Sequence, residues 1–470
     1  MKRQQFLIYI IIISTIFLSC ENKVIPYPQP IDIDNHRQLF VDEFLIQKFK
    51  GSAKLKLHKP RPEQIVMIHD EPWEGNTCTY HTIFKDDSIY RMYYRASNHK
   101  NDSIKTHPSF TCYAESSDGI HWKKPNLDIH KYNGSKKNNI ILKGIGTHNF
   151  TPFKDNNPKC KSNEKYKAIS SGNGGLIAWK SSDGIHWKLM RKDPIITEGK
   201  FDSQNIAFWD SVNNVYHCYF RDFKNGYRNI KTSISKNFLE WRDPIWLDIP
   251  NASKEHLYTN QIRPYYRAPH IFIGFPSRFN KNRGNLVEPL FMNSRDGTTF
   301  HLWKESIIRP GRNLDRWKDR SNYVWWGLAE TFSNLPGTPK ELSLYTNERY
   351  YTEKSVKIRR YTYRIDGFVS IHASYNKGEI ITKPIYFQGT KLKLNFSTSI
   401  KGWVKVEIQT INGKSINGYT IQKCSEIYGD AIGKVVSWEK GSSLNNINNE
   451  PIRIRFILKD ADIYSFKFCE

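Results

Sequence analysis

A seven-residue motif recurs along this chain and limits the folds that it can adopt. Copies of Ser-x-Asp-Gly-x-x-Trp, with Phe replacing Trp in the last, lie at 116–122, 181–187 and 294–300. A weaker copy lies at 235–241, and Asp366-Gly367-Phe368 ends an arginine- and tyrosine-rich strand in the same way. Successive copies are about 60 residues apart, so the sequence predicts five repeats of one structural unit.

Each repeat has the composition of a small antiparallel sheet. Asp-Gly favours a tight turn, because glycine accepts positive φ and the aspartate bonds nearby amides. Short β-branched or aromatic runs precede the turns, at 89–95, 166–170, 215–220 and 270–275, and no long helical period occurs. Radial stacking hides the edges of such sheets, so we predict an all-β chain with a five-bladed β-propeller over residues 36–367.

The remainder of the chain has a different pattern. Apolar and polar residues alternate at 404–409 and 452–458, as expected of strands with one buried face. We therefore predict that a C-terminal β-sandwich follows the propeller, over residues 368–470.

The N-terminus resembles a bacterial lipoprotein signal. Lys2 and Arg3 precede an apolar stretch, and Ser19-Cys20 ends it. The resemblance implies a signal peptide over residues 1–20, lipidation of Cys20 and anchoring to a bacterial outer membrane, on its periplasmic or cell-surface side. An ordinary cleaved signal and a short anchor are the alternatives. Residues 21–35 are proline-rich and are predicted to form a tether.

The chain is strongly basic. It has 71 Lys and Arg against 46 Asp and Glu, a formal net charge of +25. Such a charge favours anionic partners, among them acidic and sulfated polysaccharides. Nucleic acid is excluded because the basic residues are scattered and no nucleic-acid-binding motif is present. A merely solubilising basic surface is the alternative.

Motifs for metal and nucleotide chemistry are missing from the sequence. There is no H-E-x-x-H, G-x-S-x-G, EF-hand or phosphate-binding glycine loop. The six cysteines other than Cys20 include no C-x-x-C pair and are predicted to be buried, although a disulfide is permitted outside the cytoplasm. We predict no metal site and no cofactor.

The five repeats, their turns and the appended sandwich resemble the five-bladed glycoside hydrolases of families 32 and 43 and their uncharacterised bacterial relatives. The segments 201–205, 255–260 and 458–462 resemble the uncharacterised bacterial relatives more closely than they resemble families 32 and 43. The resemblance covers nearly the whole mature chain and implies an extracytoplasmic glycosidase. It also allows a structural calcium in the propeller axis, for which no ligand set can be identified.

Glycosidic cleavage needs two carboxyl groups, one as acid and one as base or nucleophile. Inner propeller strands begin at the central cavity, so acidic residues near those strands are expected to converge there. We assign Glu255 as acid and Asp202 as base or nucleophile, with Asp155 and Glu74 as orienting or pKa-tuning groups. The families resembled place the acid one blade earlier, and this sequence departs from that plan.

Substrate-binding candidates are aromatic or charged residues near the same strands. Aromatic rings stack on sugar faces, and arginine binds anionic substituents through paired hydrogen bonds. The candidates are Trp73, Arg221, Asp222, Tyr258, Arg263 and Glu330. Arg221 and Asp222 could instead form a structural ion pair. Arg278, beside the fourth-blade strand, could hold a sulfate or carboxylate as Arg263 could.

Three functions are compatible with these residues. The first is a glycoside hydrolase that cleaves a poly- or oligosaccharide outside the cytoplasm. The second is a non-catalytic glycan-binding lipoprotein. The third is a sialidase-like enzyme with a tyrosine nucleophile and the arginines Arg221, Arg263 and Arg278, but sialidase propellers have six blades and this chain has five repeats.

Overall fold

The computed structural model describes residues 29–100 and 104–470. The signal segment, Cys20 and most of the predicted tether lie outside these ranges. Apart from three single 3-10 turns (Ser162–Glu164, Lys281–Arg283 and Leu314–Arg316), the regular structure described is β. Within the described ranges, no helix has the length and apolar character needed to cross a membrane.

The described chain opens with five short strands. They are β1 (Ile31–Asp32), β2 (Gln38–Leu39), β3 (Ile46–Gly51), β4 (Lys54–Leu57) and β5 (Arg61–Ile68).

Three regular blades follow, each a four-stranded antiparallel sheet. The first blade contains β6 (Thr79–Asp86), β7 (Ile89–Ala96), β8 (Phe110–Ser116) and β9 (Ile140–Lys143). The second contains β10 (Thr151–Lys154), β11 (Tyr166–Gly172), β12 (Gly175–Ser181) and β13 (Lys188–Leu189). The third contains β14 (Ile206–Asp210), β15 (Val215–Lys224), β16 (Tyr227–Ser235) and β17 (Ile245–Trp246).

The fourth blade carries an inserted sheet. β18 (His256–Leu257) precedes its first two strands, β19 (Arg263–Tyr265) and β20 (Ala268–Gly274). β21 (Ser277–Asn280) then pairs with β18, and β22 (Leu286–Pro289) pairs with β21. β23 (Phe291–Ser294) and β24 (His301–Trp303) complete the blade. The predicted five-bladed architecture is confirmed by the fifth blade, β25 (Ala329–Thr331), β26 (Glu341–Glu348), β27 (Lys357–Arg364) and β5.

The fifth blade takes its outer strand from the other end of the chain. β5 pairs antiparallel with β27, with Ile68 opposite Lys357 and Arg61 opposite Thr362. The propeller ring is therefore closed by hydrogen bonds between its first and last strands.

The remaining strands form a ten-stranded sheet that folds around one apolar core. They are β28 (Val369–Ala373), β29 (Gly378–Thr382), β30 (Ile385–Tyr386), β31 (Lys391–Thr410), β32 (Asp430–Val435) and β33 (Ile452–Cys469), together with β1 to β4. Residues 36–57, which the sequence analysis placed in the propeller, thus pair with the C-terminal strands instead. Burial explains the difference, because Phe40 and Ile46 pack into the core formed by Val406 and Phe456.

The repeated motif forms the expected turns. Asp118 Oδ1 accepts hydrogen bonds from the amides of Ile120 and His121, both at 2.8 Å, and Gly119 has a φ of +75°. Trp187 of the second copy packs edge-on against Tyr93 of the first blade. The turns therefore fix both the bend within a blade and the contact between blades.

The first strand of each blade is its inner strand, and these strands are β6, β10, β14, β19 and β25. β10 contacts β6 and β14, and β25 contacts β6. The inner strands run in the same direction and give the propeller two distinct ends. Blades one and five show this direction, because a parallel bridge joins Thr82 to Trp326 and the Ile83 amide donates to the Trp326 carbonyl at 2.8 Å. We call the end where the inner strands begin the upper end, and the end where they finish the lower end. A residue just before an inner strand and one just after it therefore lie at opposite ends.

Candidate functional site

Each blade contributes a side chain to the upper end from just before or at the start of its inner strand. These side chains belong to Tyr80, His148, Asp202, Tyr258 and Tyr323. The Tyr80 hydroxyl donates to the Asp202 backbone carbonyl at 2.9 Å, and its ring lies 5.6 Å from the His148 ring. The Tyr258 and Tyr323 rings are also 5.6 Å apart. Residues distant in sequence therefore meet at this end.

Two glutamines lie beneath these side chains. Gln204 donates to the His81 carbonyl at 2.9 Å and accepts a hydrogen bond from Gln261 at 2.9 Å. Nearby buried polar atoms have no hydrogen-bond partner among the described residues, including Ser203 Oγ, Asn205 Oδ1 and Gln261 Oε1. Buried polar groups of this kind are usually satisfied by water or a ligand.

The backbone at the upper end is strained. Tyr80, Gln261, Arg320 and Tyr351 have φ values of +55°, +52°, +48° and +53°. Left-handed conformations are unfavourable for residues with large side chains, and such strain is concentrated at functional sites. Bulky residues elsewhere, such as Phe238 and Lys377, also have positive φ, so the strain accompanies the side-chain cluster but does not identify the upper end by itself.

Four arginines surround the upper-end tyrosines. The guanidinium carbons of Arg221 and Arg228 lie 5.0 and 4.9 Å from the centre of the Tyr258 ring. Arg95 lies 5.0 Å from the Tyr80 ring and donates to the Tyr350 hydroxyl at 2.9 Å.

The fourth arginine is neutralised by a neighbour. Arg320 donates to both carboxylate oxygens of Asp319, at 2.6 and 2.9 Å, and lies 4.3 Å from the Tyr351 ring.

Asp202 presents an exposed carboxylate in this arginine-rich surface. Its side chain is 67% exposed and forms an ion pair with Arg221, whose side chain is 3% exposed. The contact leaves Nε and Nη1 of Arg221 without a hydrogen-bond partner among the described residues. Asp202 is therefore held in place and remains accessible to a ligand.

The surrounding cations keep His148 neutral. Burial, together with Arg95, Lys105 and Arg221, lowers the pKa of His148 to about 3. His148 Nδ1 lies 3.2 Å from an Arg95 guanidinium nitrogen, which fits a neutral ring accepting from the arginine. The pKa of Arg228 is also lowered, by burial and by the positive charges of Arg221 and Arg320.

Glu74 does not line the axial hollow. It is 3% exposed, and its oxygens accept hydrogen bonds from His69 at 3.2 Å, Tyr94 at 2.5 Å and Lys124 at 2.7 Å. Burial acts to raise its pKa, but His69 and Lys124 outweigh that effect and lower the pKa to about 2. Glu74 is therefore a structural carboxylate behind the inner strand of blade one.

Asp155 lies at the lower end because it follows β10. Its carboxylate accepts from Lys167 at 2.5 Å and from Tyr216 at 2.7 Å, and its side chain is inaccessible to solvent. The prediction counted back from each turn and could not tell which end of the inner strand a residue would occupy. Asp155 and Asp202 are therefore not brought together.

Glu255 lies on the inserted sheet beside the upper end but does not join the cluster. Its carboxylate pairs with Arg278 at 3.4 Å. Arg278 also donates to the Lys304 carbonyl at 3.0 Å, just after the outer strand of blade four. No described contact connects Glu255 with Asp202, because the insertion carries its side chain outward.

The predicted binding residues are divided between the two ends. Arg221 and Tyr258 belong to the upper-end cluster, whereas Asp222 pairs with Lys231 at 3.2 Å. Arg221 and Asp222 therefore do not form an ion pair with each other.

Glu330 and Arg263 lie away from the upper-end cluster. Glu330 accepts from the Tyr266 hydroxyl at 2.5 Å, and Arg263 donates weakly to the Leu328 carbonyl at 3.4 Å. Both line a hollow of about 640 Å³ between the lower ends of the inner strands.

Trp73 has a structural environment. Its indole nitrogen donates to Asn139 at 2.8 Å, and its ring packs edge-on against Tyr132. No described contact brings it to the upper-end cluster.

Several upper-end residues were missed by the sequence analysis. They are Tyr80, Arg95, His148, Arg228, Arg320 and Tyr323. The search before each inner strand was limited to acidic residues, so the tyrosines and the histidine at equivalent positions were passed over. Arg95 and Arg228 could have been found by the ends of their strands, since β7 ends and β16 begins at the upper end.

Metal ligands are not clustered in the described part of the chain. No group of three or more His, Cys, Asp or Glu side chains there could hold a metal ion. The six described cysteines are all unpaired with one another, and four of them are buried.

Comparison with known proteins gives a distant likeness in fold. No protein-family model matches the sequence, and no curated protein matches it. A glycoside hydrolase structure is 14% identical, with a TM-score of 0.45, over 65% of this chain and 92% of that chain. The catalytic domain of the GH62 α-L-arabinofuranosidase of Coprinopsis cinerea is 10% identical, with a TM-score of 0.45, over 65% and 97%.

A putative glycosidase of Bacteroides thetaiotaomicron is likewise similar. It is 13% identical, with a TM-score of 0.42, over 64% of this chain and 96% of that chain. Similarity at this level does not establish substrate or mechanism.

Proposed function

We propose that this protein is a glycoside hydrolase that acts on an oligo- or polysaccharide at the upper end of the propeller. The observation that carries the proposal is the position of Asp202, an exposed carboxylate ion-paired with Arg221 among side chains from all five blades. Aromatic rings and fixed polar groups around an acidic residue are the usual components of a sugar-cleaving site.

Asp202 is proposed as base or nucleophile, the role that the sequence suggested. The leaving oxygen also needs a proton, and phenols are the proton donors that the described residues place at this end. Burial raises the pKa of Tyr323 and raises that of Tyr350 to about 12. Both therefore stay protonated at neutral pH and can donate a hydrogen bond to the leaving oxygen. Transfer of the proton itself would require the bound substrate to lower the pKa of the phenol towards the operating pH.

A non-catalytic glycan-binding protein is the second candidate. One observation favours it: of the four carboxylates predicted to act in catalysis, only Asp202 belongs to the upper-end cluster. Cleavage by two carboxylates across one bond would need a second one within about 5–10 Å of the first.

One experiment separates the two candidates. The purified protein and its Asp202→Asn variant are assayed for cleavage and, separately, for retention of glycans from a broad panel. Loss of cleavage with retention unchanged supports the hydrolase. Retention without cleavage by the unmodified protein supports the binding protein. Cleavage that survives Asp202→Asn contradicts the proposed role of Asp202.

The substrate is proposed to be acidic or sulfated and to be met outside the cytoplasm. The formal charge of +25 supports the first part, and the signal-like residues 1–20 support the second. Attachment to the membrane would depend on the lipid carried by Cys20. Labelled palmitate should enter the protein in cells and fail to enter the Cys20→Ala variant.

A further inference from the structure

We infer that the upper end contains a receptor for one acidic group of the glycan, formed by Arg95, Arg221 and Arg228. The inference deepens the proposed function and rests on it for the identity of the ligand as a glycan. It goes beyond the chain's overall charge, because it assigns the recognition to three particular side chains.

The charges of these side chains are not balanced by the residues that the structure describes. Four guanidinium groups lie at this end, but only Arg221 and Arg320 are paired, with Asp202 and Asp319. Arg95 and Arg228 have no carboxylate within ion-pairing distance among the described residues. Positive charge is thus left over at the place where the strained backbone and the exposed Asp202 lie.

The donor atoms are also left over. Nε of Arg95, Nε of Arg228, and both Nε and Nη1 of Arg221 are buried without a hydrogen-bond partner among the described residues. Burying an unpaired charged donor is costly. Burial, together with the charges of Arg221 and Arg320, lowers the pKa of Arg228. An oxyanion reaching these groups would offset that repulsion and supply the missing acceptors.

Aromatic rings hold two of the guanidinium groups in position. The Arg228 guanidinium carbon lies 5.3, 4.9 and 5.0 Å from the ring centres of Phe223, Tyr258 and Phe279. The Arg221 guanidinium carbon lies 5.0 Å from the centre of the same Tyr258 ring. Groups held in this way lose little side-chain entropy when they bind a ligand, and arginine is suited to paired bonds with carboxylate and sulfate oxygens.

The other arginines considered as anion-binding residues do not share these properties. Arg278 is already paired with Glu288 at 2.5 Å and with Glu255 at 3.4 Å. Arg263 belongs to the hollow at the lower end. An anion should therefore bind the upper-end arginines in preference to Arg278 or Arg263.

The test compares acidic glycans with their neutralised forms. A panel of uronate-bearing, sulfated and neutral glycans is applied to the purified protein, and each retained glycan is measured again after carboxyl reduction or desulfation. Loss of binding after carboxyl reduction identifies a bound carboxylate, and loss after desulfation identifies a bound sulfate. The same pairs are measured with Arg228→Gln and with Arg283→Gln, a control that removes one charge from an exposed position on the inserted sheet.

We expect neutralising the glycan to weaken binding about tenfold or more. Arg228→Gln should bind the acidic and neutralised forms equally, whereas Arg283→Gln should still discriminate between them. If Arg228→Gln does not fold, Arg95→Gln is measured in its place, with the same loss of discrimination expected and Arg283→Gln again as the control.

Three results would overturn the inference: equal binding of both forms by the unmodified protein, discrimination that survives Arg228→Gln, or retention of neutral glycans only. Cleavage of neutral glycans that depends on Asp202 would leave the proposed hydrolase intact while removing the receptor. Binding that requires the acidic group, without cleavage of any glycan, would support the receptor and contradict the proposed hydrolase.

Discussion

The two ends of the propeller are made by the same five inner strands and differ in how their charges are satisfied. At the lower end, the inner strands of blades one and three end in Asp86 and Asp210, and Asp155 directly follows that of blade two. Each of these carboxylates is buried and bonded to a cation, a histidine or a tyrosine nearby. At the upper end, arginines outnumber carboxylates and several of their donors lack partners.

The comparison concerns two separate properties of each end: the volume of its hollow and the pairing of its charged groups. The lower end has a hollow of about 640 Å³. The acids at the ends of its inner strands are bonded to neighbouring strands, and Asp87 and Glu330 beside the hollow are paired with lysines. Among the described residues, the upper end has arginine donors without partners and the exposed Asp202. A hollow of about 760 Å³ lined by Tyr351 lies beside it, so volume does not distinguish the two ends, whereas the pairing of their charges does.

The largest expected effect concerns catalysis at the upper end. Asp202→Asn should lower the rate of glycan cleavage by about 10²–10⁴-fold, because Asp202 is the exposed carboxylate of the cluster that is proposed to act on the bond. The melting temperature should fall modestly, because Asp202 is two-thirds exposed but its partner Arg221 is buried and loses a neutralising charge. Unchanged turnover with a lowered melting temperature would assign Asp202 a structural role.

A large effect on stability is expected at the lower end. Asp155→Ala removes the carboxylate 2.5 Å from buried Lys167 and leaves it Glu164, at 3.8 Å, as its only carboxylate partner among the described residues. It should reduce the free energy of unfolding by about 3 kcal/mol. Urea denaturation would measure this, and the fraction that remains folded should cleave glycans normally. Loss of turnover in fully folded Asp155→Ala would mean that the two ends are not functionally distinct.

A smaller effect should appear in the pH dependence of stability. The pKa of His148 is about 3 in the folded protein and near 6.5 when unfolded, so the unfolded chain takes up a proton first as the pH falls. Its contribution to stability is therefore lost progressively from pH 6.5 towards 3. Unfolding of His148→Gln, measured across this range, should show a shallower decline than the unmodified protein, and parallel curves would contradict the assignment.

The smallest effect is expected at the inserted sheet. Glu255→Gln should leave the rate of glycan cleavage within about twofold, because Arg278 keeps its stronger pairing with Glu288. A loss of cleavage comparable with that of Asp202→Asn would return Glu255 to the role of acid and would extend the active cluster to the insertion.

The sequence predicted the repeats well because their signal is local. The Asp-Gly turn of Asp118 and the packing of Trp187 depend on neighbours within a few residues or on the adjacent blade, and both are found. The placement of residues 36–57 could not be predicted in this way, because it depends on pairing with strands that follow some 300 residues later.

The candidate site was predicted only in part, because part of its signal is local and part depends on distant residues. Asp202, Arg221 and Tyr258 were chosen by their nearness to an inner strand, and they meet at the upper end. Asp155 met the same criterion, but the end of the strand at which it lies depends on where β10 starts. Arg228 and Arg95 gain their significance only from the acids that are absent around them in the described structure, which no local pattern reveals.

The pairing of β5 with β27 has a consequence for how the molecule is made. The strand that completes the ring leaves the ribosome, or the export channel, before any of the blades, and its partner arrives about 300 residues later. Until then the growing protein is an open stack with an uncovered sheet edge, the kind of surface that recruits other chains. Interruption of synthesis within the fifth blade should therefore produce aggregates rather than a smaller working propeller.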